Sequence, residues 1–511
     1  METVRTRTVV IGLDAAAGDL LFDGCDRGYF PHLAALRRRG VWGTAEALPG
    51  FGSGALWPSF STGVTPAKHG RYFYRQVAPG GYQAKRFEAA DFSAPAVWKT
   101  LSDAGRRVAV FDVPKAVLSE NLNGLQAVDW IVHGPVYRRL VTWPPELGAE
   151  LSARFGVDPL PKCDQPGGRN AAEHTALRDQ LIARVRQKEA SALYYLERES
   201  WDLFVTVFAD PHCVGHQCWH LRDANHPMHD AATAAAVGDP VRDVYVAIDA
   251  AIGRIAEAAG PDADVIVFSG TGMGSNYTGN FLLDDMLRRL EGLERTKPLE
   301  WFTRIKRAVK NRIPRVVRKR WNQTARRIEE VAVKGDRERR RCFAVPHNDI
   351  AGAVRVNLAG REPNGRVAPG AEYDALFERL RGDLLDVRNL DTGRPIVTDV
   401  VRTDATCSGD QLALLPDFFV LWSREAPIER VGSAKIGALE YVHRGNRTGD
   451  HRPDSVFVAA GPHVATGQLD PVSILDFAPT LAAMHGVSLP DADGRVIPEI
   501  AGIGERHGHA A

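Results

Sequence analysis

The chain has no CxxC pair, no long apolar run, no excess charge of either sign and no internal repeat. Each absence narrows what it can be. Its six cysteines are scattered over 511 residues, so a reduced chain is the simplest reading. No window approaches the ~18 to 20 continuous apolar residues of a membrane-spanning helix. The opening "METVRTRTVVIGLDAAAGDL" lacks the apolar stretch of a signal peptide and passes directly into "TVVIGLD", a buried-strand pattern. A cytoplasmic location is therefore expected. A formal net charge of +1 points to neither nucleic acid nor a membrane surface as a partner. Low-complexity linkers are missing too, and the tail "GERHGHAA" reads as loose.

What is present is an ordinary globular composition, 44% hydrophobic and 25% charged, long enough for about two to four domain-sized units. Short β-branched runs recur at 8–14, 107–113, 202–210, 263–270, 417–422 and 454–461, separated by helical patterns such as 170–198 and 241–259. Strands alternating with helices predict a three-layer α/β fold around a largely parallel sheet. Several runs end in Asp or Gly, at the edge where such sheets place ligands, which would gather Asp14, Asp210 and Ser269 on one rim. Between 303 and 341 there are 16 Lys or Arg against 4 Asp or Glu, in a helical pattern broken by Pro314. That segment is either a basic cap attracting an anion or a solvated helical insertion. The expected organisation is a first part of the α/β core at 1–275, the basic helical insertion or cap at 276–342, a second part of the core at 343–500, and a tail at 501–511.

Three stretches carry residues suited to chemistry. "GFGSGALWPSFSTGVTPAKHGRYFY" (50–74) offers several hydroxyls before Lys68, His69 and Gly70. "FADPHCVGHQCWHLRD" (208–223) follows a strand with Asp210, His212, His216 and His220; a spacing of four puts successive histidines on one helix face. Imidazole and carboxylate in that arrangement suit a borderline divalent ion, zinc above all, although a polar helix start with satisfied histidines has the same letters. "NRTGDHRPDSVFVAAGP" (446–462) sets Asp450 and His451 in a loop before a strand, where a distant histidine can complete a metal set. Asp14 taken alone reads as a helix N-cap. "PVSILDFAPTLAAMHG" (471–486) reads as an amphipathic closing helix with Asp476 structural.

Taken together, "IGLDAA", "LWPSFSTGVTPAKHG", "HCVGHQCWHLRD", "FSGTGMG", "AVRVNLAGREPNGRV", "NRTGDHRPD" and "LDFAPTLAAMHG" resemble the alkaline phosphatase superfamily, in its type I phosphodiesterase/nucleotide pyrophosphatase branch. They occur in that family's order across residues 11–486. The resemblance implies an alkaline-phosphatase-like fold and a metal-dependent phosphoester hydrolase acting on a small anionic substrate. It implies Ser53 as nucleophile, ten residues before Gly63, with a phosphoseryl intermediate; Ser59, Ser61 and Thr62 then start and pack the helix. It implies Asp14 and Ser53 as ligands of one metal, and His212, His216 and His451 as ligands of another, with His212 in place of an Asp and Asp210 as a nearby alternative.

Besides His212, the sequence departs from the family at three further points. Ala55 stands where the family commonly has Pro, and Tyr74 stands at the offset of a phosphoryl-binding Asn, so nucleotide specificity is not implied. More consequentially, the family's "SDHGMG" reads Ser269-Gly270-Thr271-Gly272-Met273-Gly274, without the Asp-His pair that holds the metal beside the nucleophile. The expectation is one tightly bound ion at the histidines, zinc by its donors, and a weak second one (zinc, manganese or magnesium) or none. A catalytically degenerate relative acting as a binding or regulatory protein is the alternative. A sulfatase fits less well, since the Pro and Arg expected after its nucleophile are missing. Oligomeric state is left open.

Overall fold

A computed structural model of the chain describes residues 7–164, 168–293, 333–348, 350–442 and 445–503. Its residues divide into two compact units, one of Met1–His69, Glu88–Asn276 and Arg444–Ala511, the other of Gly70–Phe87 and Tyr277–His443.

The first unit is built on a ten-stranded sheet. Strand Arg7–Leu13 lies parallel between Leu203–Phe208 and Ala263–Ser269. Val108–Phe111 and Gly124–Val128 extend the parallel set, while Asp454–Ala460 runs antiparallel to Ala263–Ser269. The inner strands are buried along their whole length, as Val, Ile and Phe runs must be when both faces are covered. One face packs on helices Ala171–Arg198 and Pro240–Ala259. The other packs on helices that include Ser53–Thr62 and Phe477–Met484. Both long helices start where local chemistry dictates. Asn170 and Glu173 form a reciprocal capping box, and Asp239 accepts from the Arg242 N–H at 3.1 Å just before Pro240. The second helix then buries Val241, Val244, Tyr245, Ile248, Ile252 and Ile255 at helical spacing. Each such aliphatic side chain, fully buried, contributes about 1.5–3 kcal/mol.

The second unit has its own four-stranded antiparallel sheet, ordered Cys342–Val345, Ala351–Val356, Phe418–Trp422, Val397–Arg402. Helices Asn280–Leu290 and Ala371–Leu385 share its separate apolar core. This corrects the expected organisation. The run at 417–422 is a strand, but it pairs here antiparallel, and 343–443 belongs to this unit rather than continuing the parallel core. Alternation alone could not tell a central parallel strand from one buried in a second sheet. The basic segment at 303–341 lies mostly outside the described residues. Among the described residues no helix is long and apolar enough to cross a membrane.

Candidate functional site

Strand register builds the rim of the site. Leu13 pairs with Phe208 on one side and Ser269 on the other, so Asp14, the start of helix Asp210–Arg222, and Gly270 leave the sheet side by side. The Asp14 N–H continues the ladder to the Phe208 carbonyl at 2.9 Å. Ser269 Oγ accepts from the Ala16 N–H at 3.1 Å and donates to the Thr271 carbonyl at 2.8 Å, which locks two of these loops together. The sequence expectation of a common rim for Asp14, Asp210 and Ser269 matches this register.

Three histidines converge there from two segments. His212 and His216 lie one turn apart on helix Asp210–Arg222. His451 arrives on strand Gly449–Arg452, which pairs antiparallel with Gly272–Ser275 so that His451 faces Met273. All three are buried, and their ligand nitrogens lie within 4.8 Å of one another. Among the described residues, His212 Nδ1, His216 Nε2 and His451 Nε2 have no hydrogen-bond partner. Leaving a buried polar atom unsatisfied costs about 1–3 kcal/mol, so three converging ones are a poor structural motif and a good ligand set. The other nitrogen of His216 lies 2.6 Å from the Gly449 carbonyl. That carbonyl can only accept, so the ring carries its proton on Nδ1 and turns the Nε2 lone pair inward. Burial holds His212 and His216 well below the usual imidazole range, with the neighbouring charges and rings adding to it. Both are therefore neutral near pH 7, the form that binds metal. These residues fit one borderline divalent ion.

The other expected ligands are placed differently. Asp210 is fully buried and turned toward Arg184, whose Nε is 3.5 Å away and also lies 3.4 Å from Asp158. Burial raises its carboxyl, and Arg184 opposes that. It stands outside the three-histidine set. His220 also stands outside, its Nδ1 2.9 Å from Thr448 Oγ1.

The half of the rim at Asp14 is organised by an indole. Asp14 is buried, and its Oδ1 accepts from Trp57 Nε1 at 2.8 Å. Trp57 lies four residues, one turn, after Ser53 on helix Ser53–Thr62, so the two share a helix face. A Cβ at Gly270 would lie 3.3 Å from the same indole ring. The ring thus crowds the space a side chain at 270 would enter. Thr271 Oγ1 is buried without a partner among the described residues. Burial raises the Asp14 carboxyl; the cation of Lys115, held by the carbonyls of His133 at 2.8 Å and Gly134 at 2.7 Å, is the largest opposing influence. Among the described residues Asp14 belongs to no group of three metal-ligating side chains. One carboxylate oxygen is committed to an indole and positions 270 and 271 bring neither imidazole nor carboxylate, so these residues do not fit a tightly held second divalent ion.

Ser53 is the first residue of its helix, 7% exposed, at the positive end of the helix dipole. The later hydroxyls are spent on packing: Ser59 Oγ lies 3.0 Å from His69 Nε2, while Ser61 and Thr62 donate to the Pro58 carbonyl at 3.0 and 2.8 Å. Sequence reasoning missed Trp57, although its helical offset from Ser53 could have flagged it. It missed His133, whose ring lies tilted against that of His212 with centroids 4.1 Å apart, because nothing local marks a lone loop histidine.

With this geometry in hand, similarity to known proteins can be read. The family model for type I phosphodiesterase / nucleotide pyrophosphatase matches residues 8–402. Phosphonoacetate hydrolase from Sinorhizobium meliloti 1021, in complex with phosphonoacetate, is similar over 93% of this chain and 94% of its own, at 14% identity and a TM-score of 0.53. Its complex with phosphonoformate gives the same coverage and identity with a TM-score of 0.52. Murine ectonucleotide pyrophosphatase / phosphodiesterase 5 covers 96% of this chain and 97% of its own at 11% identity and a TM-score of 0.49. No curated protein matches the chain in sequence. At these identities the solved structures establish the alkaline-phosphatase-like fold, while the family match spans most of the chain. The chain belongs to the type I phosphodiesterase / nucleotide pyrophosphatase family of phosphoester hydrolases, within the alkaline phosphatase superfamily.

Proposed function

We propose that the protein is a metal-dependent phosphodiesterase that uses Ser53 as its nucleophile and a single tightly held ion, zinc by its donor set, at His212, His216 and His451. The observation that carries this reading is the set of three buried, unpartnered imidazole nitrogens within 4.8 Å, on the rim that also holds Asp14. A divalent ion there would supply positive charge to phosphoryl oxygens as negative charge builds in displacement.

The rest falls to the chain's own groups. Ser53 Oγ attacks phosphorus, the ester oxygen leaves, and the phosphoryl group becomes bonded to Ser53; water then cleaves that bond and regenerates the hydroxyl. We assign Asp14 to accept the Ser53 proton, because burial raises its basicity and it is anchored by Trp57, which shares a helix face with Ser53. The helix start at Ser53 and the guanidinium of Arg447, one-third exposed, add positive potential for an anionic substrate. All six cysteines are buried and none forms a disulfide, which supports a reducing, cytoplasmic setting.

The test is turnover of an aryl phosphodiester with added zinc, manganese or magnesium, compared between the native chain and Ser53→Ala. Mass spectrometry of acid-quenched reactions should find a phosphoryl group on Ser53. The unfilled requirements at Gly270 and Thr271 favour one rival reading, a relative that binds phosphoesters without turning them over. Absence of turnover across metals, with retained binding of a phosphodiester, would establish that instead.

A further inference from the structure

A second donor set adjoins the histidines. His133, Cys163 and Cys213 come from three separate segments, and their ligand atoms also lie within 4.8 Å of one another. His133 Nδ1 is 3.1 Å from Cys163 Sγ and 3.8 Å from Cys213 Sγ. Both thiols are buried, while the imidazole is partly exposed. We propose that these three residues form a separate metal site for a thiophilic divalent ion, zinc, which neither the family relationship nor the proposed hydrolysis requires.

The dimensions suit zinc. With Zn–S about 2.3 Å and Zn–N about 2.0–2.1 Å, a tetrahedral ion separates S from N by about 3.6 Å and S from S by about 3.8 Å. The observed contacts lie within half an ångström of the first value. The surroundings are those of a ligating histidine. His133 Nε2 lies 3.8 Å from Asp164 Oδ2, so a proton displaced from Nδ1 to Nε2 would face a carboxylate, the arrangement that orients metal-bound imidazoles. Arg447 Nη2, which can only donate, lies 3.5 Å from the same nitrogen and its Nε 3.6 Å from Asp164 Oδ1, so it turns wholly to the carboxylate once Nε2 carries the proton.

The loop that carries Cys163 is also fastened in place. Arg169 Nη2 donates to the Cys163 carbonyl at 2.6 Å, and Gln217 Nε2 donates to Asp164 Oδ1 at 2.7 Å. Gln217 lies one turn after Cys213 on the same helix, so one element presents a thiol and pins the loop bearing the other. Arg184 Nη1 lies 3.8 Å from Cys213 Sγ, a cation beside the thiol. On binding, each thiol loses one proton to solvent, two Zn–S bonds and one Zn–N bond form, and the charge on the ion is balanced by two thiolates. Because Cys213 directly follows His212 and the His133 ring lies 4.1 Å from that of His212, an ion here would be the immediate neighbour of the histidine set.

Cobalt substitution separates the two sets, because only this one contains sulfur. Full-length protein loaded with Co(II) should show an intense sulfur-to-cobalt charge-transfer band in the near ultraviolet. The band should persist in His216→Ala and vanish in Cys163→Ser and in Cys213→Ser. X-ray absorption of the zinc-loaded native chain should find sulfur at about 2.3 Å, a readout that needs no variant. No sulfur scatterer in the native zinc protein, a charge-transfer band that survives both serine substitutions, or a Cys163–Cys213 disulfide in the purified chain would each overturn the proposal. Loss of turnover in Ser53→Ala tests hydrolysis alone and leaves these readouts untouched.

Discussion

The two halves of the rim have nearly the same burial and opposite logic. At His212, His216 and His451 the protein leaves three inward-facing nitrogens without partners and uses a backbone carbonyl to fix one ring's tautomer. At Asp14 it does the reverse: an indole N–H satisfies the carboxylate, and the same indole crowds the position from which another ligand could project. Buried polar groups are ordinarily paired, so unpaired ones mark where an external group is expected, and paired ones mark where the fold has completed itself. The contrast teaches that a missing ligand in a sequence need not leave a hole. Here the neighbouring helix supplies a neutral donor, Trp57, where charge would otherwise be needed.

This contrast can be broken by substitution. The largest effect belongs to Ser53→Ala, which should lower turnover of an aryl phosphodiester about 10³-fold or more, while zinc content measured by mass spectrometry stays unchanged. His451→Ala should weaken zinc binding by about 10²-fold or more, read by competition with a chelator. Trp57→Phe keeps an aromatic ring but removes the donor and part of the indole's bulk, leaving Asp14 Oδ1 buried and unsatisfied. Stability from urea unfolding should fall by about 1–3 kcal/mol with zinc binding intact. Equal zinc loss in Trp57→Phe and His451→Ala would mean that the halves are not independent. Gly270→Ala forces a methyl to within 3.3 Å of the indole and should cost about 1 kcal/mol, a loss that shrinks when Trp57 is already Phe.

The smallest effect is a control on the fold common to both halves. His174 and His485 are buried and their imidazoles are lowered to about 4, chiefly by burial. The unfolded chain, with an imidazole pKa of about 6.5, takes up these protons first as pH falls. Stability is therefore level above about pH 6.5 and declines toward pH 4. His485→Gln should flatten part of that decline in urea midpoints measured from pH 7 to 4.5. A midpoint that rises on acidification would contradict it.

Much of this was legible in the letters. The runs ending at Asp14, Asp210 and Ser269 became neighbouring parallel strands because β-branched runs between long helices have few other ways to bury both faces. The spacing of His212 and His216 carried directly into one helix face. Two things were not legible. The run at 417–422 has the composition of a parallel core strand, yet it pairs antiparallel in a different unit, since composition reports burial and not partners. The meaning of Asp210 depended on Arg184, more than twenty residues earlier on another helix, and that of Asp14 on the indole of Trp57. Which donor reaches a carboxylate is a tertiary fact.

The most direct test is a crystal structure of the zinc-loaded protein with anomalous data collected at the zinc edge. The account predicts a peak bonded to His212 Nδ1, His216 Nε2 and His451 Nε2, and no peak between Asp14 and Ser53, where Trp57 Nε1 remains on the carboxylate. An ion coordinated by Asp14 and Ser53, or zinc absent from the three histidines, would contradict it.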